Sequence, residues 1–142
     1  MYLVDTNVIS AAAPVSPALI EWMDTYSASL FLSAVTVAEI EDGIAKSRRE
    51  GATRKSADLS AWLETVLHLY GDRVLAFDVA TARIAGAISD RARGAGQTPG
   101  FADIIIAATA QHYGLTMLSR NLRHFETFGV AVIDPFTRLP PA

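Results

Sequence analysis

Three carboxylates stand where short apolar runs of this 142-residue chain end or give way to helical patterns. Asp5 directly follows Tyr2-Leu3-Val4, Glu39 lies shortly after Leu30-Phe31-Leu32, and Asp103 opens onto Ile104-Ile105-Ile106-Ala107-Ala108. Ser119, Arg120 and Asn121 directly follow a fourth apolar run. Carboxylates that converge repel one another, and withdrawing them from water is costly unless a cation sits among them. Hard oxygen donors without His or Cys select Mg2+ or Mn2+ over zinc or copper. Such an ion acidifies a bound water and stabilises charge on a departing oxygen, chemistry suited to phosphate esters.

Each residue also has a plainer reading. Asp5 can simply cap the segment that follows it. Glu39 comes three residues after Thr36, the spacing of a capping box. Asp103 in a first helical turn complements the helix dipole, and Asn121 can cap a short helix over 122–128. Asp103 resists the plain reading most. An acid at the mouth of so apolar a helix needs a partner, and no Lys or Arg adjoins it in sequence.

Short apolar runs alternate with longer helical patterns, which predicts an α/β fold with a central, mostly parallel sheet of about five strands flanked by helices. The strands fall at 2–4, 30–32, 74–77, 115–118 and 130–133. Helices begin at Pro17 behind a Ser16 cap, at Thr36, within 59–70 up to Gly71, after Asp78, and over 103–113, with a short one at 121–128. No linker divides the chain, so residues 1–142 read as one domain. The segment 94–100 reads as a flexible connector, since it lacks both the spacing and the preceding strand of a phosphate loop. The tail beyond Asp134-Pro135 reads as peripheral. In open parallel sheets ligands bind beyond the carboxyl ends of the strands. If strands one, two and four are neighbours, the three acids and Asn121 share one rim.

Composition narrows the classes. Hydrophobic residues at 51% against 19% charged exclude a disordered tail or a coiled-coil rod. Twelve basic against fifteen acidic residues leave a net charge of −3, so contact with a nucleic acid must come from a local patch. Arg120 and Arg123, nearest the acids, are the candidates for phosphate contact. Lys46, Arg48, Arg49, Arg54 and Lys55 cluster around Gly51 and can grip an RNA backbone, but the plainer reading is a solvated loop between helices. The absence of Cys removes disulfides, thiolate metal sites and thiol nucleophiles. Trp22, Trp62 and Tyr70 lie on apolar helical faces and read as packing residues. His68, His112 and His124 lack metal-ligand spacing and read as ordinary surface or half-buried groups, with an approach of His124 to the groove as the weaker alternative. Asp78 follows a strand but has its own helix to cap. The early Asp5 fits no signal peptide and the apolar runs are too short to span a bilayer, so a cytoplasmic protein with no membrane partner is expected.

Four segments together resemble a known family. Val4-Asp5-Thr6-Asn7-Val8-Ile9-Ser10, Ser33-Ala34-Val35-Thr36-Val37-Ala38-Glu39, the stretch from Ala102-Asp103 to Thr109-Ala110, and Leu118-Ser119-Arg120-Asn121 are similar to the PIN-domain nucleases, most of all the VapC/FitB-type toxins of toxin–antitoxin pairs. The resemblance runs to Val132-Ile133-Asp134-Pro135. It implies that Asp5, Glu39 and Asp103 hold a divalent metal, Mg2+ with Mn2+ as a substitute. Asn121 matches a position where many members carry a fourth acid. Thr6 and Ser119 match small hydroxyl positions that orient the carboxylates. The resemblance further implies RNA cleavage by a metal-activated water, with Glu39 a ligand or the group that orients or deprotonates that water. It implies a homodimer and a cognate antitoxin that covers the acidic groove and supplies any DNA binding.

Two other classes remain. A phosphotransfer fold also uses acids at strand ends with Mg2+, but Asn7 stands where an aspartyl phosphatase wants its second Asp, and the only lysines are Lys46 and Lys55. The alternative to an active enzyme is a catalytically weak or inactive PIN-like module that binds RNA or an antitoxin.

Overall fold

The structure, a computed structural model, describes residues 1–10 and 15–142. Its elements run β1 (Tyr2–Val4), α1 (Thr6–Ile9), α2 (Pro17–Thr25), β2 (Leu30–Ser33), α3 (Ala34–Arg49), α4 (Thr53–Tyr70), β3 (Val74–Leu75), α5 (Val79–Gly94), α6 (Phe101–Tyr113), β4 (Thr116–Leu118), α7 (Leu122–Thr127) and β5 (Val132–Ile133). All four strand pairings are parallel and the order is β3-β2-β1-β4-β5. The expected parallel sheet is therefore present, and β1, β2 and β4 are indeed neighbours.

Strand period 2 sorts the central residues onto two faces. Leu3 and its register partner Met117 face one cluster with Ile106, Ala107, Phe125 and Phe128. Tyr2, Val4 and Leu118 face the other, with Leu19, Trp22 and Val66. β1 is buried on both faces, which is why its three residues are apolar throughout. Among the α6 residues, Ile104 to Ala110 are all buried, as their all-round apolar character demands. A third cluster, Ile40, Ile44 and Leu63, joins α3 to α4. Trp22, Trp62 and Tyr70 pack in these clusters, as expected of them.

Several boundaries differ from the sequence reading. α3 starts at Ala34, with Ser33 as its cap: the Val35 amide donates to Ser33 Oγ at 3.1 Å. Thr36 is thus inside the helix and Glu39 sits in its second turn, so the capping-box reading of Glu39 falls. β3 and β5 are two residues each, shorter than expected, because they are the edges of the sheet and gain pairing on one side only. The tail is not peripheral. Phe136 packs on the second cluster, and the Tyr2 hydroxyl donates to the Pro141 carbonyl. Among the described residues no helix is long and apolar enough to cross a membrane.

Candidate functional site

The order β3-β2-β1-β4-β5 reverses direction between β1 and β4, and that is where an open α/β sheet leaves a crevice beyond its carboxyl ends. Asp5 follows β1 directly and Ser119 follows β4 directly, so both stand in that crevice. The Asp5 amide extends the ladder by donating to the Leu118 carbonyl at 2.9 Å. Its side chain is only 4% exposed. Oδ1 accepts from the Thr6 amide at 2.8 Å and Oδ2 from the Ser119 hydroxyl at 2.7 Å. Asp5 does cap the short α1, as its plain reading held, but a cap alone does not require a buried carboxylate held at both oxygens.

Glu39 reaches the rim from α3. The Thr6 hydroxyl donates to its Oε1 at 2.7 Å and lies 3.3 Å from the Thr36 hydroxyl oxygen. Asp103 reaches it from the first turn of α6, with its Oδ2 3.3 Å from His124 Nδ1. Asn121 occupies the cap position of α7, yet its side chain makes no capping hydrogen bond, so that plain reading falls. Its backbone N–H donates to Ser119 Oγ at 3.0 Å.

Electrostatics tie these groups together. Burial pushes the Asp5 carboxyl up to about 6, the Ser119 and Thr6 hydrogen bonds oppose the rise, and the charges of Asp103 and Glu39 add to it. Asp5 therefore feels the charge of two acids from separate stretches of chain. Each carboxylate has nonetheless found its own donor, and like charges hold apart. Among the described residues no group of three or more acids or histidines is drawn in tightly enough to grip one ion as it stands. No Lys or Arg among the described residues forms an ion pair with any of the three. A buried carboxylate with no cationic partner, two further acids at the same rim and an all-oxygen donor set fit a hard divalent cation once Glu39 and Asp103 swing inward.

The sequence reading missed one neighbour and gave another the plainer of its two readings. Asn7, used there only to exclude a phosphatase, accepts the Arg120 amide at 3.2 Å through Oδ1 and so clips the segment after β4 to α1. His124, for which the ordinary reading stands above an approach to the groove, does approach it: it adjoins Asp103 because α7 packs on α6 through the buried Phe125. Nothing local signals that approach, whereas Asn7 at two residues from Asp5 had a visible position. The Arg120 guanidinium lies over the Phe136 ring at 5.3 Å, and Arg123 is exposed. Of the basic cluster, Lys46 and Lys55 line a groove of about 530 Å3 that also contains Thr6, Glu39 and Trp62. They belong to the surroundings of the rim rather than to an isolated loop. Asp78 caps α5 through the Thr81 amide at 2.9 Å, as expected.

Ser119 offers a direct check of this geometry. Its hydroxyl donates to a buried carboxylate and accepts the Asn121 amide, so Ser119→Ala leaves both groups short of a partner. The variant is expected to lose about 1–3 kcal/mol in denaturant unfolding. Unchanged stability would show that the Asp5–Ser119 contact carries no weight.

Comparison with known proteins agrees with this arrangement. The profile of the family described as PIN domain matches residues 2–129. The chain is 34% identical to "VapC ribonuclease Y4jK" of Sinorhizobium fredii over 139 residues, covering 96% of this chain and 98% of that one. It is 32% identical to "Toxin FitB" of Neisseria gonorrhoeae, covering 96% and 99%. Among solved structures, the DNA-bound VapBC of Salmonella typhimurium superposes with a TM-score of 0.78 at 25% identity, over 94% of this chain and 96% of that one. The chain belongs to the PIN-domain family, among its VapC/FitB-type toxins.

Proposed function

We propose that the chain is a Mg2+-dependent endoribonuclease, the toxin of a toxin–antitoxin pair, with Mn2+ able to replace Mg2+. The observation that carries this reading is the buried Asp5 carboxyl, which has no cationic partner and lies within the field of Asp103 and Glu39. Asp5, Asp103 and Glu39 would hold the metal. When bound, a hard divalent ion acidifies a water and neutralises charge on the leaving oxygen of a phosphodiester.

The residues around it divide the remaining work. Thr6 and Ser119 hold Glu39 and Asp5 in orientation by donating to them, leaving further lone pairs on each carboxylate free. Glu39, exposed at the rim, either completes the ligand set or orients and deprotonates the attacking water. Asn121, with an amide free of capping duty, positions that water or the phosphate. Arg120 and Arg123, on the segment after β4, contact the RNA phosphates.

A cognate antitoxin fits the groove beside Glu39, whose apolar floor includes Ile40, Leu59 and Trp62 and whose edge carries Lys46 and Lys55. DNA contact would be made through the antitoxin rather than through this chain, whose net charge is −3. Exposed Phe77, Val79 and Phe101, at the starts of α5 and α6, support a homodimer.

The test is incubation of the purified chain with structured and single-stranded RNAs in Mg2+, Mn2+ or EDTA. Cleavage with either metal, none in EDTA and none by Asp5→Asn is the expected result. The spread of the acids and the amide at Asn121 favour one second reading, a module that binds RNA or antitoxin without turnover. RNA binding by the wild type with no cleavage under any metal would establish that reading instead.

A further inference from the structure

The segment 94–100 is not the loose connector its glycines suggest. The Gly96 amide donates to the Arg93 carbonyl at 2.9 Å and the Gln97 amide to the Ala92 carbonyl at 3.0 Å, with Gly96 at φ +80° making the turn. The segment is thereby fastened to the end of α5 and forms one wall of a cavity of about 350 Å3. Phe128 and His124 line it as well, and Asp103 belongs both to its wall and to the acidic rim. The cavity therefore adjoins the proposed cleavage site through Asp103.

Its lining says what it accepts. No Lys or Arg lines it and a carboxylate does, so a phosphate is a poor occupant. The size is at the small end of ligand sites, which run to roughly 300–1,000 Å3, so it takes one planar group rather than a peptide helix. Among the described residues the side-chain amide of Gln97 and the Thr98 hydroxyl have no hydrogen-bond partner, and both residues line the space. Single-stranded RNA is read by splaying out a base, stacking it on an aromatic or His ring and hydrogen-bonding its edge. Gln97 carries both donors and an acceptor in the geometry an edge requires.

We propose that this cavity is a base-reading subsite for the nucleotide next to the scissile phosphate, with Gln97 and Thr98 reading the base edge and the His124 ring supporting its face. The assignment rests on the ribonuclease reading above. Asp103 sets the distance: one residue bounds both the metal-binding rim and the base pocket, so the base held here adjoins the bond to be cut.

The experiment digests a randomised single-stranded RNA pool with the wild type, Gln97→Ala and Thr98→Ala, and sequences the new ends. Arg138→Ala, on the exposed tail, serves as control. The wild type and the control should show a base preference at one position flanking the cut. In Gln97→Ala the ratio of preferred to disfavoured ends at that position should fall about tenfold, with a smaller fall in Thr98→Ala. Thermal unfolding of each variant shows whether it is folded; Gln97 is half-buried and Thr98 exposed, so both should be. Cleavage with an unchanged preference in both variants, or a wild type that cuts without preference, overturns the subsite and leaves the ribonuclease standing. A wild type that never cuts RNA overturns the ribonuclease reading and the subsite together.

Discussion

Asp5→Asn is expected to make the protein more stable and inactive at once. The wild-type carboxyl sits at about 6 in the folded chain against 3.8 for the free group, so the folded state takes up a proton more readily than the unfolded one. Stability from this group is fully present below about pH 4, declines as pH rises toward 6, and stays lost above that. The gap corresponds to about 2–3 kcal/mol at neutral pH. Asn keeps the shape, an acceptor for the Thr6 amide and no charge, so the variant escapes the penalty. In metal-free buffer at pH 7.5 it should melt roughly 5–10 °C above the wild type, and the difference should close near pH 4. RNA cleavage by the same variant should fall to background. A variant no more stable than the wild type at pH 7.5 would mean that the buried carboxylate is not under strain.

Expression of the chain without its antitoxin is expected to arrest growth, and Asp103→Ala should relieve the arrest. Asp103 is the one acid shared by the rim and the adjoining cavity, and its loss removes a charge the proposed metal requires. Turnover on RNA should drop on the order of 10²–10³-fold or more. The side chain is 27% exposed and its one polar partner among the described residues is His124, so the variant should remain folded. Full toxicity from a folded Asp103→Ala protein would remove Asp103 from the site.

Much of this architecture was legible in the sequence, and what was not has a common cause. The strand at 2–4, the Ser16-Pro17 cap, the stop at Gly71 and the buried helix before β4 follow from local patterns of apolarity and capping. The acids could be picked out because each stood at a strand end or a helix mouth. Glu39 was placed one helical turn too early because Thr36 and Glu39 imitate a capping box. Which residue caps is decided by where β2 releases the chain, and Ser33, with φ −89° and ψ 144°, is the residue in the extended conformation there. The approach of His124 to Asp103 depends on how α7 packs against α6, and the return of the tail to Tyr2 spans 139 residues. Neither leaves a local signature. The fastening of Gly96 and Gln97 back onto α5 likewise turns a glycine-rich stretch into a wall, which composition alone misreads as slack.

The hydrogen bonds at the rim also explain why the carboxylates are placed close but not closed. Thr6 holds Glu39, Ser119 holds Asp5 and His124 adjoins Asp103, so each acid has a resting partner from which it can be drawn. A cation entering among them replaces mutual repulsion with attraction and removes the desolvation penalty on Asp5. Metal binding should accordingly stabilise the fold.

Calorimetric titration of Mn2+ into the wild type, Asp5→Asn, Asp103→Asn and Glu39→Gln tests that coupling most directly. Saturable binding by the wild type, weakened or abolished in every one of the three variants, is the outcome that joint coordination demands. Binding that survives all three substitutions, or a wild type that takes up no metal, contradicts it.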